Sequence, residues 1–129
     1  MRIKFKWQGE YDYWWLIDDI QVTGENLIWK EDFTYADNTN TGTGTPGITS
    51  WTADGGERGV TVMSNQLRGR NTRNPNPDQT IWTIDSDDLI EIGGFTDVNV
   101  TMDLNNDGNL DNGDYIQIQY NLDEAGWVN

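Results

Sequence analysis

The stretch YWWLIDDIQV, residues 13–22, decides the fold class. In an extended chain, alternate side chains point to opposite faces. Both faces are apolar here: one carries Trp14, Leu16, Ile20 and Val22, and the other carries Trp15 and Ile17. A strand that is apolar on both faces is typical of a sheet interior that is covered on both sides.

The rest of the chain has the same period of two. At the start, Ile3, Phe5 and Trp7 alternate with basic residues, which predicts a half-buried strand. Further strand candidates are residues 27–35, 60–67, 80–84, 89–92, 98–104 and 116–120. The connections are rich in Gly, Asn, Asp, Thr and Pro, and no segment of ten or more residues has a convincing helical period. The sequence therefore predicts an all-β fold, an antiparallel β-sandwich of the jelly-roll type.

Composition excludes several classes of function. The chain has 129 residues, which fits one domain, and it contains neither Cys nor His, so disulfides, Ser-His-Asp triads and ordinary zinc or haem sites are ruled out. Its net charge of −14 argues against nucleic acid and against anionic membranes as partners. No apolar run is long enough to insert into a bilayer and no signal peptide opens the chain, so a targeting signal would lie outside this sequence.

The stretch DLNNDGNLDNGD, residues 103–114, has the ligand spacing of an EF-hand-type calcium loop. Gly108 stands at position 6, where the chain must turn sharply. The predicted ligands are the side chains of Asp103, Asn105, Asp107, Asp111 and Asp114 and the main-chain carbonyl of Asn109. The flanks are strand-like, so the site would be a calcium hairpin. The competing interpretation is a solvated turn, but four carboxylates in one loop repel each other without a cation.

Four stretches carry a resemblance to a known family. YWWLIDDIQVTG (13–24) resembles the closing strand of jelly-roll modules in large secreted surface proteins of Bacteroidota-type bacteria, and it is similar to the closing strand of MAM-type domains. WKEDFTY (29–35) resembles the opening strand of such modules, and residues 82–104 and 108–129 resemble their middle strands. The resemblance implies an extracellular or cell-surface β-sandwich.

The order of these stretches departs from the family, because the closing strand comes first here. One interpretation is that residues 1–24 close a preceding module, or complete a neighbouring copy by strand exchange, while residues 25–129 form the sandwich body. The other is circular permutation, with residues 1–24 closing the same domain. The predicted partners are accordingly other copies of the chain or adjacent modules.

The strand pairing that the resemblance implies would create a candidate second metal site. If the first and last strands of the module pair, Asp18 or Asp19 lies near Glu31 and Asp32. Asp18 falls on an apolar face, where a carboxylate needs a partner or a metal. The alternative is an ordinary hydrogen-bonded Asp at a strand end.

Two functions compete at this point. The favoured one is a non-catalytic, calcium-binding structural or adhesive module, since the acids cluster in loops with ligand spacing instead of facing each other across a cleft. The alternative is a carbohydrate-binding module of a secreted enzyme, with glycans as ligands. Trp51, in the polar stretch TSWTADGG, is the predicted surface aromatic for stacking against a sugar.

Overall fold

The structure is a computed structural model that describes residues 1–8, 14–46, 49–53, 60–70, 80–84, 88–107, 115–122 and 125–129. All regular secondary structure in these residues is strand. The strands are β1 (Arg2–Gln8), β2 (Trp14–Thr23), β3 (Leu27–Glu31), β4 (Thr41–Thr43), β5 (Ser50–Ala53), β6 (Val60–Met63), β7 (Gln66–Arg70), β8 (Thr80–Ile84), β9 (Asn99–Asp107) and β10 (Tyr115–Asn121). Within the same ranges, no helix has the length and apolar character needed to cross a bilayer.

The strands form two sheets that pack face to face. Sheet A has the order β10-β1-β8-β5-β4, and sheet B has the order β3-β2-β7-β6, with β9 on the other side of β2. Every strand pair is antiparallel. Among these described strands, the chain crosses between the sheets six times, from β1 to β2, β3 to β4, β5 to β6, β7 to β8, β8 to β9 and β9 to β10. The predicted all-β antiparallel sandwich is confirmed.

Strand β2 organises sheet B. Its first half pairs with β7 and its second half with β3, so these two shorter strands follow one another along the same side of β2. On its other side β2 pairs with β9 along nearly its whole length. The stretch that decides the fold class therefore has a paired strand on each side within its sheet. On one of its faces Ile17, Ile20 and Val22 are buried, whereas Leu16 on the other face is half-buried. The predicted burial of both faces is therefore wrong.

A β-bulge in β2 changes which residues face the core. Between Asp18 and Gln21 the register with β9 shifts by one residue, and Asp19 has a φ of +46°. The inward face therefore switches from odd to even positions, so that Ile17, Ile20 and Val22 are all buried. The predicted assignment of Ile17 and Ile20 to opposite faces is wrong, because strict alternation does not continue through a bulge.

The core lies between the sheets and contains four aromatic rings that are at most 1% exposed: Trp29, Phe33, Trp51 and Trp82. Phe33 packs edge-on against Trp51 and Trp82, with ring centroids 5.7 and 6.3 Å apart. Burial of each such side chain contributes roughly 1.5–3 kcal/mol. These rings lie toward the β4–β5 side of the sandwich, and the opposite side, at β9 and β10, is aliphatic.

The two strands within residues 1–24, β1 and β2, pair with other strands of the same chain in this structure. Strand β1 lies between β10 and β8 in sheet A, with Ile3 opposite Tyr120 and Phe5 opposite both Ile118 and Trp82. Whether the same residues also exchange between copies stays a prediction.

Three predicted strands differ from the structure. The candidate at 60–67 is a hairpin of β6 and β7, because the backbone turns at Ser64 and Asn65, which both have positive φ.

The candidate at 27–35 ends at Glu31, because the Glu31 carboxylate accepts a hydrogen bond from the Phe33 main-chain nitrogen and the backbone turns there, with a φ of +50° at Phe33. The candidate at 89–92 is irregular. Its Ile90 exchanges two main-chain hydrogen bonds with Met1, at 2.7 and 3.0 Å, which satisfies the backbone outside a named strand.

Candidate functional site

The predicted calcium loop begins inside a strand. β9 runs to Asp107, and β10 starts at Tyr115. Asp103 and Asn105 are exposed and lie on the same face of β9, since they are two residues apart. Residues 108–114, with the predicted ligands Asn109, Asp111 and Asp114, lie outside the described residues. The stretch thus connects the edge strand of sheet B to the edge strand of sheet A.

Asp18 and Asp103, which the sequence assigned to two separate sites, are brought together. They are directly paired across β2 and β9. Burial raises the pKa of Asp18, and the negative charges of Asp19 and Asp103 act in the same direction. The Asp19 main-chain nitrogen donates to Asp18 Oδ1 at 2.9 Å. The bulge therefore holds an acidic pair at the first position of the predicted loop.

Glu31 is turned into the core. It is 2% exposed, and its carboxylate accepts three hydrogen bonds: from Phe33 N to Oε1 at 2.7 Å, from Trp51 Nε1 to Oε2 at 2.6 Å and from the Tyr35 hydroxyl to Oε2 at 3.0 Å. The same hydroxyl accepts from Thr43 N at 2.9 Å. Burial raises the pKa of Glu31, and the three donors counteract that rise. Glu31 thus joins β3, β4 and β5.

The predicted surface position of Trp51 is wrong. Its side chain is 0% exposed, and its indole nitrogen is bonded to Glu31. The polar neighbours that suggested a loop belong to β5, which pairs with β4 and β8. A buried indole offers no face for stacking against a sugar.

Glu31 and Asp32, two of the predicted ligands of the second metal site, have different surroundings in the structure. Glu31 points inward, whereas the Asp32 carboxylate accepts from the Thr34 hydroxyl at 2.7 Å and lies 3.5 Å from Lys30 Nζ. The Thr34 hydroxyl lowers the pKa of Asp32. Across the part of the chain that the structure describes, no group of three or more acidic side chains is arranged to hold a metal ion.

An apolar cleft, defined by Val98, Val100 and Met102 on the β9 side and by Ile118, Tyr120 and Leu122 on the β10 side, opens between the two sheets. We refer to it as the β9–β10 cleft. Its volume is about 400 Å³, and Ile3 and Ile92 form part of its lining. Sequence reasoning did not identify it, because the period of two shows which face is apolar but does not show that a strand lies at an edge.

Residues that line the cleft are exposed although their neighbours on the same face are buried. Val22 is 0% exposed, but its partner Val100 on β9 is 36% exposed. Phe5 is 3% exposed, but its partner Ile118 on β10 is 38% exposed. Cross-strand partners share a face. The sandwich is therefore open along this side, and both of its inner faces reach solvent there.

The C-terminal segment covers part of the β10 edge. Val128 and Tyr120 exchange two main-chain hydrogen bonds of 2.9 Å. Beside them, the Trp127 ring lies 3.9 Å from Lys4 Nζ, measured to the ring centroid. An extended segment can therefore add to β10 at this side of the molecule.

Comparison with known proteins returns no relative. No protein-family model matches the chain, and no curated protein or solved structure matches it significantly.

Proposed function

We propose that the chain is a non-catalytic structural or adhesive module of an extracellular bacterial surface protein or fibre. It joins neighbouring modules, either copies of itself or adjacent modules, by strand pairing. It binds calcium in the loop at 103–114. The observation that supports this proposal is the open side of the sandwich, where two edge strands expose their inner apolar faces.

Every open sheet has edge strands, but a long and uncovered one favours pairing with another chain. An edge strand presents unpaired main-chain N–H and C=O groups, and proteins normally shorten, charge or cover such edges. β9 is nine residues long, and among the described residues it pairs only with β2. Val100 and Leu104 are 36% and 43% exposed on its inner face. A long, apolar, uncovered edge suits strand addition from a neighbour.

Calcium would act on the side of the molecule where β9 and β10 lie. The ligand spacing of residues 103–114 supports a hard oxygen site. The loop joins β9 to β10, so a bound cation would neutralise its carboxylates and restrict the two edge strands relative to each other. Calcium binding and strand pairing would therefore be coupled.

Association of the purified chain tests the proposal. We expect concentration-dependent association in sedimentation velocity, because two uncovered β9 edges can pair with one another. Leu104→Lys places a charge on the inner face of β9 and should abolish association. Leu27→Lys is the matched control, since Leu27 is similarly exposed at 47% but lies at the start of β3. A monomer at all concentrations, or equal effects of the two variants, would count against pairing between copies.

A further inference from the structure

The β9–β10 cleft combines an apolar surface with a polypeptide edge. Its volume of about 400 Å³ is in the range of ligand sites in general. What distinguishes it is the main chain of β9 along one rim, since no described strand other than β2 lies beside β9. Main-chain donors and acceptors at strand spacing are matched only by another extended polypeptide.

The C-terminal segment shows this kind of addition on the opposite rim. Val128 pairs with Tyr120 on the outer edge of β10, as described above. That contact covers part of the β10 edge, and the longer edge of β9 is the place where a second strand can pair. On a strand added to β9, alternate side chains would point inward toward Ile118 and Tyr120, and they would fill the cleft.

The charge of residues 74–129 indicates which side chains an added strand would carry on its outward face. Residues 74–129 contain twelve Asp or Glu residues and no Lys or Arg. Asp97 is exposed just before β9. Asp103 is exposed within β9 and lies on its outer face. The outward side chains of an added strand would lie beside these carboxylates, so Lys or Arg there would gain attraction and faster association.

Among the described residues, a folded copy of this chain offers no uncovered strand of this kind. The strands that carry two or more basic residues are β1, with Arg2, Lys4 and Lys6, and β7, with Arg68 and Arg70. Both lie between two neighbouring strands inside their sheets. The matching strand therefore comes from a different polypeptide.

We propose that the β9 edge of the cleft accepts an extended strand of another protein, in which apolar side chains alternate with Lys or Arg. This inference deepens the proposed strand-pairing function, and it names the chemistry of the partner. Apolar side chains of the partner occupy the cleft, and its basic side chains face Asp103.

The test uses a fluorescent nine-residue peptide with valine at every second position and lysine and threonine alternating between them. The protein is kept at a concentration where sedimentation shows a monomer. We expect saturable binding by fluorescence anisotropy, and slower amide hydrogen exchange in β9 but not in β6, the opposite edge of sheet B.

Three control peptides isolate the parts of the proposal. N-methylation of alternate residues blocks main-chain pairing and should abolish binding. A peptide of the same composition without the alternation should bind at least about tenfold more weakly. Replacement of lysine by glutamate should weaken binding at low ionic strength, with a smaller difference in high salt.

Protein variants locate the site. Val100→Lys places a positive charge in the cleft and should weaken peptide binding about tenfold or more. Leu27→Lys should leave it unchanged. Peptide that binds equally to both variants, protection of β6 instead of β9, or binding to phosphatidylcholine vesicles without binding to the peptide would overturn the inference. Peptide binding without self-association would contradict pairing between copies only, whereas self-association without peptide binding would contradict this inference only.

Discussion

The buried Glu31 carboxylate is the residue that decides how β3, β4 and β5 meet. Three donors converge on it, from Phe33, Tyr35 and Trp51. A charged acceptor without these donors would be costly at 2% exposure. Because burial raises the pKa of Glu31 above its value in the unfolded chain, its contribution to stability is fully present below that value and is lost as the pH rises through the folded pKa.

Trp51→Phe removes one hydrogen-bond donor to Glu31. It should destabilise the protein by about 1.5–3 kcal/mol more than the loss of side-chain volume alone would. Trp82→Phe is the matched control, since Trp82 is equally buried but its indole nitrogen has no partner among the described residues. Loss of a donor to the charged form raises the pKa of Glu31 further. The difference between the variants in urea denaturation should therefore be larger at pH 7 than at about pH 4. Equal losses at both pH values would contradict this role of Glu31.

At the scale of the element, the bulge in β2 has the largest effect on the fold. One additional residue lets Ile17 and Ile20 both face the core and places Asp18 opposite Asp103. The bulge depends on Asp19, whose φ of +46° is a conformation that Asp tolerates and that β-branched residues do not.

Asp19→Val should therefore destabilise the protein by about 1–2 kcal/mol, although the side chain is exposed and valine favours strands. Asp19→Gly should be as stable as the original or more stable, since glycine adopts positive φ without strain. Gln21→Val is the control, because Gln21 is exposed on the same strand with an ordinary φ. It should change the free energy of unfolding by less than about 0.5 kcal/mol. Equal effects of the two valine substitutions in thermal unfolding would show that backbone strain at Asp19 is unimportant.

The local sequence pattern predicts the individual strands, but it does not predict how the strands pair and pack. Alternation predicted β1, β2, β9 and β10 and the sandwich class, because each strand needs one apolar face toward the core. The bulge was missed because one residue with positive φ reverses the phase of alternation without any change in composition. The burial of Trp51 was missed because its neighbours in sequence are polar, and its contacts with Glu31 and Phe33 are long-range. The cleft follows from strand order, which local pattern does not determine.

For the molecule as a whole, the net charge of −14 opposes folding through mutual repulsion. Monovalent salt relieves this repulsion everywhere, whereas calcium would act at the 103–114 loop. We expect calcium to raise the melting temperature above that in EDTA at matched ionic strength. The stabilisation would be about 2.7 kcal/mol at about one hundred times the dissociation constant.

Asp103→Asn should reduce the calcium-dependent part of this rise, because it removes the carboxylate at the first position of the loop. Asp97→Asn removes an equally exposed charge just before β9 and should not reduce it. A melting curve that responds only to ionic strength, identical with sodium and with calcium, would leave the loop as a solvated turn.

The position of β1 between β10 and β8 in sheet A has a consequence for how the chain is made. Its partners β8 and β10 begin at Thr80 and Tyr115, so neither exists when β1 leaves the ribosome. β1 must wait, with its alternate apolar side chains uncovered, until synthesis has passed β8 and then β10. Such distant pairings also slow the folding step itself. We expect newly made chains to need protection from one another during this interval, more than a sandwich built from consecutive hairpins would.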